Sequence, residues 1–448
     1  MKKELYQDYF NEKHITVMGL GLLGRGVGDT AFLANNGAYV TVTDMKTEEE
    51  LAPSLAILKD TPNITYTLGK HQVEDFEMKE FILKAAGVPT DSPYIAHAKK
   101  HNVPVYMSAA LVCDIAMKKL QGVTIVGVTG TRGKSTVTQL VAYILKASGL
   151  RTHIGGNVRG VANLPLLDVL EDGDYLVLEL DSWQLQGFND MEISPHIAVF
   201  TSFLDDHMNY YKGSKDSYFN DKAAIYRHQN EYDALITSTQ ASEEIAAREK
   251  GKVHCTVPER QHFEMRLIGE HNQVAAQLAY EVASQCGVSD EEIRGAIANF
   301  PGIEGRLQDL GIVGEKHVRI FNDNNATTAD ATIAALEAIT DVYHKKPILI
   351  MGGADKGLPM SELEQMILVV VKKTIFLAGT GTDKITLHKE YLFDTLVECL
   401  DKAVSLAEEG DIIVFSPGFA SFSKEFANEY ERNDAFISYV NTYKCKEA

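Results

Sequence analysis

A glycine-rich loop that carries a lysine and hydroxyl side chains follows the β-branched run TIVGVT. Its residues are Gly130, Thr131, Arg132, Gly133, Lys134, Ser135 and Thr136. Amides in such a loop can surround phosphate oxygens, Lys134 can neutralise β- and γ-phosphate charge, and Ser135 or Thr136 can bind Mg²⁺. The spacing departs from G-x₄-GK[ST], whose first glycine would fall at Val128. Because a purely structural turn needs neither the lysine nor the hydroxyls, the loop predicts a nucleotide-binding site.

A second glycine pattern, GLGLLG, begins at Gly19, between the strand-like run ITVM and a helical segment. It contains Gly21 and Leu22, and Asp44 ends the next β-rich run. Glycines at this spacing let amides approach a pyrophosphate at a helix N-terminus, and the acid can hold a ribose or another polar head. The pattern alone indicates a dinucleotide site, as in a nicotinamide-linked oxidoreductase. The alternative is a glycine turn that only packs a helix against a strand.

Several acids and bases stand where apolar runs end, at the edge where parallel sheets bind ligands. Glu179 ends YLVLE and is a candidate Mg²⁺ ligand, although a solvated carboxylate at the rim would give the same pattern. His207 follows HIAVFTSF, and Lys222 lies further along in DKAAIY, but spacing alone assigns neither a role. Lys356, in GGADKG, suits a substrate carboxylate or phosphate. Two more runs end near Asp323, in NDNNATT, and Ser421, in SPGFASF.

Apolar β-rich runs alternate with helix-like segments along the chain, which indicates parallel sheets built from βα units. A turn near Ser108 and the segment NFPGIEGR, which ends at Arg306, interrupt this alternation. We therefore predict an α/β protein of three domains. A Rossmann-like N-terminal domain spans residues 1–110, a central P-loop ATPase-type parallel-sheet domain spans 111–302, and a C-terminal Rossmann-like α/β domain spans 303–448.

Composition restricts the partners of the protein. The chain has 448 residues, a formal net charge of −19 and a pI near 5.2, so nucleic acids and anionic membrane surfaces would be repelled. Five scattered cysteines without a CxxC pattern predict neither a disulfide framework nor a zinc site, which suits a reducing cytoplasm. No secretion signal or membrane-spanning run is visible. We expect a cytoplasmic monomer that acts on small molecules.

Taken together, the motifs resemble those of the Mur ligases, the ATP-dependent amide-forming enzymes of peptidoglycan precursor synthesis. The resemblance covers nearly the whole chain and rests on an ordered set: GLGLLG, GVTGTRGKST, GGNV, LELDSWQL, LDDHMNYYKGS, the lysine of DKAAIY, GEHN, the GR of PGIEGR, NDNNATT, GGADKG and SPGFASF. The shortened loop GTRGKST is itself the form that this family uses. Within the family, the motifs are most similar to those of members that add D-glutamate to UDP-N-acetylmuramoyl-L-alanine.

The resemblance implies that the first domain binds the UDP-sugar, the central domain binds ATP and the third domain receives the amino acid. The implied reaction is ATP-dependent amide formation through an acyl-phosphate intermediate. ATP and two Mg²⁺ ions are implied, together with a carbamylated Lys222. That modification is chemically reasonable, because a buried neutral amine can add CO₂ and become an anionic ligand.

By position, the resemblance implies a role for each site residue. Catalysis would depend on Lys134, Glu179, His207 and Lys222, and the metal ligands would be Ser135, Glu179, His207 and Lys222. ATP would be contacted by residues 130–136 of the loop and by Asn272, Arg306 and Asp323. The UDP-sugar would be contacted by Gly21, Leu22, Asp44, Gly87, Asn157 and Gln184. The incoming amino acid would be held by Thr327, Lys356, Ser421 and Tyr430.

Five positions depart from the family pattern: Leu23, Asp181, Ala275, Gly305 and Asn325. Asp181 replaces the first serine of ELSS, Asn325 replaces the lysine of NDSKAT, and Gly305 stands where a histidine often precedes the arginine. These changes leave the ATP and metal chemistry intact but bear on substrate affinity and on the identity of the acceptor. Arg132 stands where asparagine or histidine is common, and the pattern does not explain why an arginine side chain occurs at this position of the loop.

Three alternatives remain open. The first is a related ligase with a different amino acid or acceptor. The second is a nicotinamide-linked oxidoreductase, which rests on GLGLLG and Asp44 but leaves the second glycine loop unexplained. The third is a non-catalytic nucleotide-binding relative, which does not account for the retention of Lys134, Glu179, His207 and Lys222.

Overall fold

The chain forms two compact units in a computed structural model that describes residues 6–421, 425–426 and 428–445. The first unit comprises Met1–His262 and Ala275–Ile297, and the second comprises Phe263–Val274 and Ala298–Ala448. Two five-stranded sheets lie in the first unit, and a six-stranded sheet lies in the second. The predicted α/β class with parallel sheets is confirmed, whereas the three predicted domain limits stay predictions.

The first sheet contains five parallel strands: β1 (His14–Met18), β2 (Tyr39–Asp44), β3 (Ile64–Leu68), β4 (Phe81–Lys84) and β5 (Val105–Tyr106). Their order in the sheet is β3-β2-β1-β4-β5. The helices around it are α1 (Gln7–Phe10), α2 (Arg25–Asn35), α3 (Ala52–Leu58), α4 (Pro93–Lys100) and α5 (Ser108–Lys119). The carboxyl ends of β1, β2 and β4 lead to Gly21, Asp44 and Gly87, so these predicted site residues share one edge of the sheet.

The second sheet is also fully parallel: β6 (Thr124–Thr129), β7 (Thr152–Gly156), β8 (Tyr175–Glu179), β9 (Ile197–Phe200) and β10 (Ala234–Thr237). Its order is β10-β9-β6-β8-β7. Its helices are α6 (Lys134–Ala147), α7 (Ser182–Asp190), α8 (Lys215–Arg227) and α9 (Thr239–Glu249). The central strand β6 ends in the glycine loop, and its neighbours β8 and β9 end at Glu179 and before His207. Parallel pairing thus brings three predicted site segments to one edge.

One continuous apolar core serves both sheets of the first unit. It includes Leu33 of α2, Leu111 of α5 and Leu178 of β8, all essentially inaccessible to solvent. Helix α5 is apolar on nearly every face and is buried accordingly. The buried Asp29 carboxylate accepts a hydrogen bond from the Leu164 amide at 2.8 Å, and burial raises the pKa of Asp29 to about 6. The shared core explains why the two sheets form a single compact unit.

Two helices follow the second sheet in the sequence: α10 (Glu270–Gln285) and α11 (Asp290–Asn299). The sequence predicts a helix near His271 to Gln285, which α10 matches. It also predicts a helix start where Ser289 precedes Glu292 by three residues, and this cap is present at α11. The Ser289 amide donates to Glu292 Oε2 at 3.2 Å, and the Glu292 amide donates to Ser289 Oγ at 3.4 Å.

The sheet of the second unit contains β11 (Gln308–Val313), β12 (Val318–Asn322), β13 (Ile348–Gly352), β14 (Lys373–Leu377), β15 (Leu392–Phe393) and β16 (Ile412–Phe415). Its order is β11-β12-β16-β13-β14-β15, and every neighbouring pair is parallel except the antiparallel pair β11 and β12. The four strands that the sequence predicts here, in VRIFND, PILIMGG, KTIFLAG and DIIVFSPG, are parallel as expected, whereas β11 was not predicted. The antiparallel pair forms because the connection between its strands is too short for a crossover helix.

Helices cover both faces of this sheet: α12 (Ala329–Tyr343), α13 (Ser361–Val370), α14 (Leu396–Leu406) and α15 (Glu429–Cys445). Strand β13 shows why helices must cover both faces of the sheet. Ile348 and Ile350 belong to one apolar cluster, whereas Leu349 and Met351 belong to another. Because successive strand residues point to opposite faces, a continuous apolar strand must be covered on both sides.

The described residues contain no helix with the length and apolar character needed to cross a membrane. Four cysteines are free thiols: Cys113, Cys255, Cys286 and Cys399. Burial raises the pKa of the Cys113 and Cys399 thiols above the ordinary value, so these two side chains act as small apolar core residues.

Candidate active site

The glycine loop joins β6 to α6 and depends on two glycines with positive φ. Gly130 has a φ of +146°, and a Cβ placed there would lie 2.0 Å from Thr201 Oγ1. Gly133 has a φ of +84° and forms the N-cap of α6. A larger residue at either position would strain the backbone, and at Gly130 it would also collide with the segment after β9.

Val128 explains the shortened spacing of the loop. It is fully buried in β6, where it pairs with Glu179 of β8 and Val199 of β9. A central strand position favours a β-branched side chain over glycine. The chain therefore leaves the sheet only at Gly130. Position 128, where the longer pattern has its first glycine, is part of the strand in this protein.

Ser202 holds the loop in shape from the neighbouring strand end. The Thr131 amide donates to the Ser202 carbonyl at 2.7 Å, and the Arg132 amide donates to Ser202 Oγ at 2.8 Å. The buried Thr131 hydroxyl accepts a hydrogen bond from the Leu204 amide at 2.9 Å. The Thr131 and Arg132 amides, which belong to residues predicted to contact ATP, thus donate hydrogen bonds within the protein. The contacts preorganise the loop, and a role for Ser202 was not predicted.

Lys222, on α8, is buried against the glycine loop. The residue is 1% exposed, and its Nζ donates to the Gly130 carbonyl at 2.8 Å. Nζ also lies 4.9 Å from the centre of the Tyr218 ring. Burial above all, and then repulsion from Lys134, lowers the pKa of Lys222 well below the usual value for lysine. The amine is therefore neutral over a wider pH range than the amine of a surface lysine.

Lys134 is the first residue of α6, and its side chain folds back over the loop. Its Nζ donates to the Gly130 carbonyl at 3.0 Å and to the Thr131 carbonyl at 3.2 Å. Lys134 and Lys222 thus share one acceptor, which accounts for the repulsion between them. Ser135 follows in the first turn of α6 and is half-buried, whereas Thr136 is buried. The structure therefore brings both predicted lysines and the predicted hydroxyls to this loop.

Glu179 is a buried carboxylate at the end of β8. It is 7% exposed, and its backbone carbonyl accepts a hydrogen bond from the Asn157 amide at 2.7 Å. Within the described part of the chain, its side chain has no hydrogen bond or ion pair. Carboxylate oxygens are ligands that Mg²⁺ prefers, and the carboxyl edge of a parallel sheet is where such sheets bind ligands. This side chain is suited to a metal ligand.

His207 lies in a left-handed turn after β9, with a φ of +54°. Arg132 Nη1 lies 2.8 Å from Asp206 Oδ2, and His207 Nε2 lies 3.9 Å from the same oxygen. The centres of the His207 and Trp183 rings are 4.9 Å apart. Arg132, whose side chain the sequence pattern left unexplained, therefore links the glycine loop to the turn that carries His207.

Asp44, at the end of β2, braces the first glycine loop. Its Oδ2 accepts hydrogen bonds from the Leu20 amide at 2.8 Å and from the Gly21 amide at 3.1 Å. These amides are among those that the dinucleotide pattern would direct at a pyrophosphate. Leu22 is 51% exposed in the same loop, and Gly87 is exposed after β4. The acid that was predicted to hold a ribose thus also has a structural role.

Asn157 and Gln184, two further residues assigned to the UDP-sugar, have different surroundings. Asn157 Oδ1 accepts a hydrogen bond from Arg25 Nη1 at 2.6 Å, which places it near the start of α2. Gln184 is buried and forms a capping box with Asp181, whose Oδ1 accepts from the Gln184 amide at 2.7 Å. The departure at Asp181 is therefore a helix N-cap, where the helix dipole stabilises negative charge.

The second unit brings together three residues predicted to hold the amino acid. Lys356 Nζ donates to Thr327 Oγ1 at 2.8 Å. Ala354 and Ala420 form an antiparallel bridge, with N–O distances of 3.0 and 3.1 Å. The bridge holds the GGADKG turn beside the segment that ends at the buried Ser421. A cation and hydroxyls close to one another suit a ligand carboxylate.

Arg432, in α15, was missed by sequence reasoning. It is 1% exposed, and its Nε and Nη2 donate to the side-chain and backbone oxygens of Asn324, both at 2.8 Å. Burial lowers the pKa of Arg432 to about 10. The arginine ties the NDNNATT segment to α15, whose first turn contains Tyr430. No local signal distinguishes such an arginine from a surface residue. Phe422, the last residue of SPGFASF, lies outside the described residues.

Asn272, Arg306 and Asp323, the remaining predicted ATP contacts, also lie in the second unit. Ser416 Oγ donates to Asp323 Oδ2 at 2.8 Å, and the Leu307 amide donates to Asp323 Oδ1 at 3.0 Å. Burial is the main cause that raises the pKa of Asp323 to about 7. Asn272 is buried, and its side-chain amide donates to the main chain one turn earlier at 2.7 Å.

Two departures from the family pattern, Gly305 and Asn325, contact each other and Asn433. Gly305 has a φ of +70°, and a Cβ there would lie 2.8 Å from Asn433 Oδ1 and 3.2 Å from Asn325 Nδ2. The Asn325 amide donates to the Gly305 carbonyl at 2.9 Å. A histidine at 305 would need this space, so these asparagines are compatible with the glycine. Of the other departures, Leu23 is 45% exposed and Ala275 is buried.

Two protein-family models match the chain. The Mur ligase MurD-like N-terminal domain matches residues 13–107, and the Mur ligase middle domain matches residues 128–257. These ranges contain the first glycine pattern and the glycine loop with Glu179, His207 and Lys222. Together with the full-length relatives below, they show that the chain belongs to the Mur ligase family.

Within that family, the chain is similar over its length to proteins named UDP-N-acetylmuramoylalanine–D-glutamate ligase. The protein from Roseiflexus sp. (strain RS-1) is 32% identical, with 96% of this chain and 99% of that protein covered. The one from Borreliella afzelii (strain PKo) is 32% identical, with 97% and 99% covered. The one from Streptococcus agalactiae serotype III (strain NEM316) is 30% identical, with 96% and 97% covered.

Two solved structures from Thermotoga maritima share the fold. UDP-N-acetylmuramate-alanine ligase aligns with a TM-score of 0.62 and 19% identity, covering 96% of this chain and 100% of that one. MurF ligase, solved in complex with ADP, aligns with a TM-score of 0.61 and 15% identity, covering 99% of this chain and 98% of that one. At these identities the likeness concerns the fold alone.

Proposed function

We propose that the protein catalyses ATP-dependent amide formation between UDP-N-acetylmuramoyl-L-alanine and D-glutamate, a step of peptidoglycan precursor synthesis. The observation that carries the proposal is the buried Lys222 amine, hydrogen-bonded at 2.8 Å to Gly130 of the glycine loop. A loop shaped for phosphate thus lies beside a lysine whose burial favours the neutral amine. Full-length similarity to proteins named UDP-N-acetylmuramoylalanine–D-glutamate ligase supports this pair of substrates.

The first step is phosphoryl transfer to a carboxylate. A carboxylate oxygen of the alanyl group attacks the γ-phosphorus of ATP, the bond from that phosphorus to the bridging oxygen breaks, and ADP leaves. Lys134 neutralises charge on the transferred group, and the glycine loop positions it. Asn272, Arg306 and Asp323 are proposed to contact the rest of the nucleotide. The product is an acyl phosphate.

The second step forms the amide. The neutral amine of D-glutamate attacks the acyl carbon, phosphate leaves with the electron pair of the C–O bond, and the nitrogen loses a proton. The amino acid is proposed to be held by Thr327, Lys356, Ser421 and Tyr430, with Lys356 facing a carboxylate. The UDP-sugar is proposed to be held by Gly21, Leu22, Asp44, Gly87, Asn157 and Gln184.

The residues beside the glycine loop fit Mg²⁺. Glu179 is a buried carboxylate without a partner among the described residues, and Ser135 adds a hydroxyl oxygen, which are the donors that Mg²⁺ prefers. A carbamylated Lys222 would add an anionic oxygen, and its lowered pKa favours the neutral amine that reacts with CO₂. We propose that Ser135, Glu179, His207 and Lys222 hold two Mg²⁺ ions. When bound, these ions supply charge neutralisation at the phosphates.

A ligase with another amino acid or acceptor is the second candidate. The departure at Asn325 favours it, because Asn325 lies two residues before Thr327. A nicotinamide oxidoreductase is disfavoured, because it gives no function to the second glycine loop or to the Lys134 and Lys222 side chains beside it.

A phosphate-release assay tests the proposal. ATP, Mg²⁺ and UDP-N-acetylmuramoyl-L-alanine are combined with D-glutamate, L-alanine, L-lysine or other amines in turn. We expect release with D-glutamate only and no release by Lys134→Ala. Release with another amine would favour the second candidate, and ADP production that needs neither D-glutamate nor the sugar nucleotide would reject the assignment. Binding of NAD(P) would revive the oxidoreductase.

A cytoplasmic location and a monomeric state complete the proposal, since the reaction consumes ATP. Gel filtration should give a mass near 49.4 kDa.

A further inference from the structure

Three metal-ligating side chains converge at a place that the ligase chemistry does not use. His97 lies in α4, and His101 is the residue that caps its C-terminal end. Glu77 follows a 3₁₀ turn at Val73–Phe76. Each side chain offers one ligand atom, and these atoms lie within 4.8 Å of one another.

The geometry of the cluster already resembles that of a ligand set. His97 Nε2 lies 2.6 Å from Glu77 Oε1. The imidazole rings of His97 and His101 stack with their centres 4.3 Å apart and their planes at 30°. Residues four apart lie on the same helix face, so both rings point to the same region beside Glu77.

The elements that carry these ligands are packed firmly. Phe76, next to Glu77, is fully buried, and Ile95 and Ala98 of α4 belong to the same apolar cluster. The ligands themselves remain accessible, with His97 and Glu77 side chains 25% and 33% exposed. A rigid support with an accessible ligand edge lets a metal enter without rearrangement of the backbone.

We propose that Glu77, His97 and His101 form a site for a divalent transition metal, with Zn²⁺ as the representative ion. Two imidazole nitrogens and one carboxylate oxygen are a common Zn²⁺ donor set, and a water molecule would complete a tetrahedral arrangement. Zn–N bonds of about 2.0–2.1 Å require ligand atoms roughly 3.4 Å apart, so small side-chain rotations suffice. The same donors disfavour Mg²⁺, which prefers oxygen. The bound ion would clip α4 to the 3₁₀ turn and stabilise the folded state by linkage.

Titration of the full-length, untagged protein with Co²⁺ tests the site. After chelator treatment, and without ATP or Mg²⁺, Co²⁺ is added and its visible d–d absorption is recorded. The titration starts from the variant His207→Gln, called the background here, because the candidate active site also contains metal ligands and this change removes one of them. We expect this background to bind one equivalent of Co²⁺ that Zn²⁺ displaces, and the further change His101→Gln to weaken binding by more than about tenfold.

His388→Gln is the matched control, since His388 is an exposed histidine in the second unit. It should leave the titration unchanged, and Zn²⁺ should raise the melting temperature of the control but not that of His101→Gln. Glu77→Gln, checked for folding by circular dichroism, gives an independent loss of affinity. Equal Co²⁺ affinity in the background and its His101→Gln derivative, or no bound equivalent in the background, would overturn the proposal.

Discussion

Lys222 is 1% exposed, and its amine donates a hydrogen bond to a backbone carbonyl, so it differs chemically from a surface lysine. Lys222 sits beside the glycine loop with its pKa lowered by burial and by Lys134. At the residue scale, this desolvation favours the proposed carbamylation, since only the neutral amine adds CO₂. The Glu179 carboxylate, which has no partner among the residues that the structure describes, is a second proposed ligand for a cation.

Replacement of Lys222 by alanine tests this chemistry. Because a proposed metal ligand is lost, we expect Lys222→Ala to reduce phosphate release on the order of 100-fold or more. Formate or acetate should restore part of the activity by supplying a carboxylate in the vacated space. Lys252→Ala, at an exposed position of the same unit, is the control and should retain activity. Full activity of Lys222→Ala would contradict the carbamate.

The ion pair between Arg132 and Asp206 predicts a coupled effect on turnover. If Arg132 acts by positioning the His207 turn through Asp206, then Arg132→Ala and Asp206→Asn should each lower kcat roughly tenfold, and the double variant should be little worse than either. Stability should change by less than about 1 kcal/mol, since both groups are partly exposed. Independent, additive losses would show that Arg132 contacts the phosphates directly.

Asp323 predicts a pH-dependent stability. Its folded pKa is about 7, whereas an unfolded aspartate titrates near pH 4, so the folded state holds a proton that the unfolded state has released between these values. The contribution is fully present below about pH 4 and is lost as the pH rises through about 7. In urea unfolding, the free energy of unfolding should therefore fall less between pH 4 and pH 8 for Asp323→Asn than for the wild type. The two decreases should differ by at most roughly 4 kcal/mol. Asp394→Asn, at an exposed position, is the control, and equal pH slopes in wild type and Asp323→Asn would refute the prediction.

At the scale of elements, the glycine loop depends on backbone conformation as much as on side chains. Gly130→Ala adds a Cβ 2.0 Å from Thr201 Oγ1 at a φ of +146°. We expect a loss of about 2–3 kcal/mol in the free energy of unfolding and weakened ATP binding, measured by urea unfolding and calorimetry. Gly173→Ala has a positive φ but open space around its Cβ, so it should cost only about 1 kcal/mol and spare ATP binding. Similar losses in both variants would exclude the steric explanation.

The sequence predicted those elements whose information is local. Apolar runs that alternate with helical segments indicated parallel sheets, and Ser289 with Glu292 indicated the start of α11. The antiparallel strand β11 was missed, because its sequence QDLGIV mixes polar residues and a glycine with its apolar residues and gives no clear strand pattern. Arg432, Ser202 and the bracing role of Asp44 were missed for another reason. Each depends on contacts between segments far apart in the chain, which no local pattern encodes.

At the scale of the whole molecule, the shared core of the first unit predicts that its two sheets lose stability together. Leu33→Ala removes a fully buried side chain from the N-terminal part of that core and should cost about 2–5 kcal/mol. Hydrogen exchange should then accelerate in β6 and β8 as well as in β1 and β2. Ile57→Ala, at a position that is 68% exposed, is the control. Acceleration confined to residues 14–106 would show that the sheets are independent.

The chain has a single tryptophan, Trp183, and its ring centre lies 4.9 Å from that of His207. Every photon of tryptophan fluorescence therefore originates beside the turn that is proposed to bind metal. Indole emission responds to nearby charge, so arrival of a cation or a phosphate at this turn should change its intensity. The protein thus carries a built-in optical probe, and ligand binding can be followed in real time without a dye.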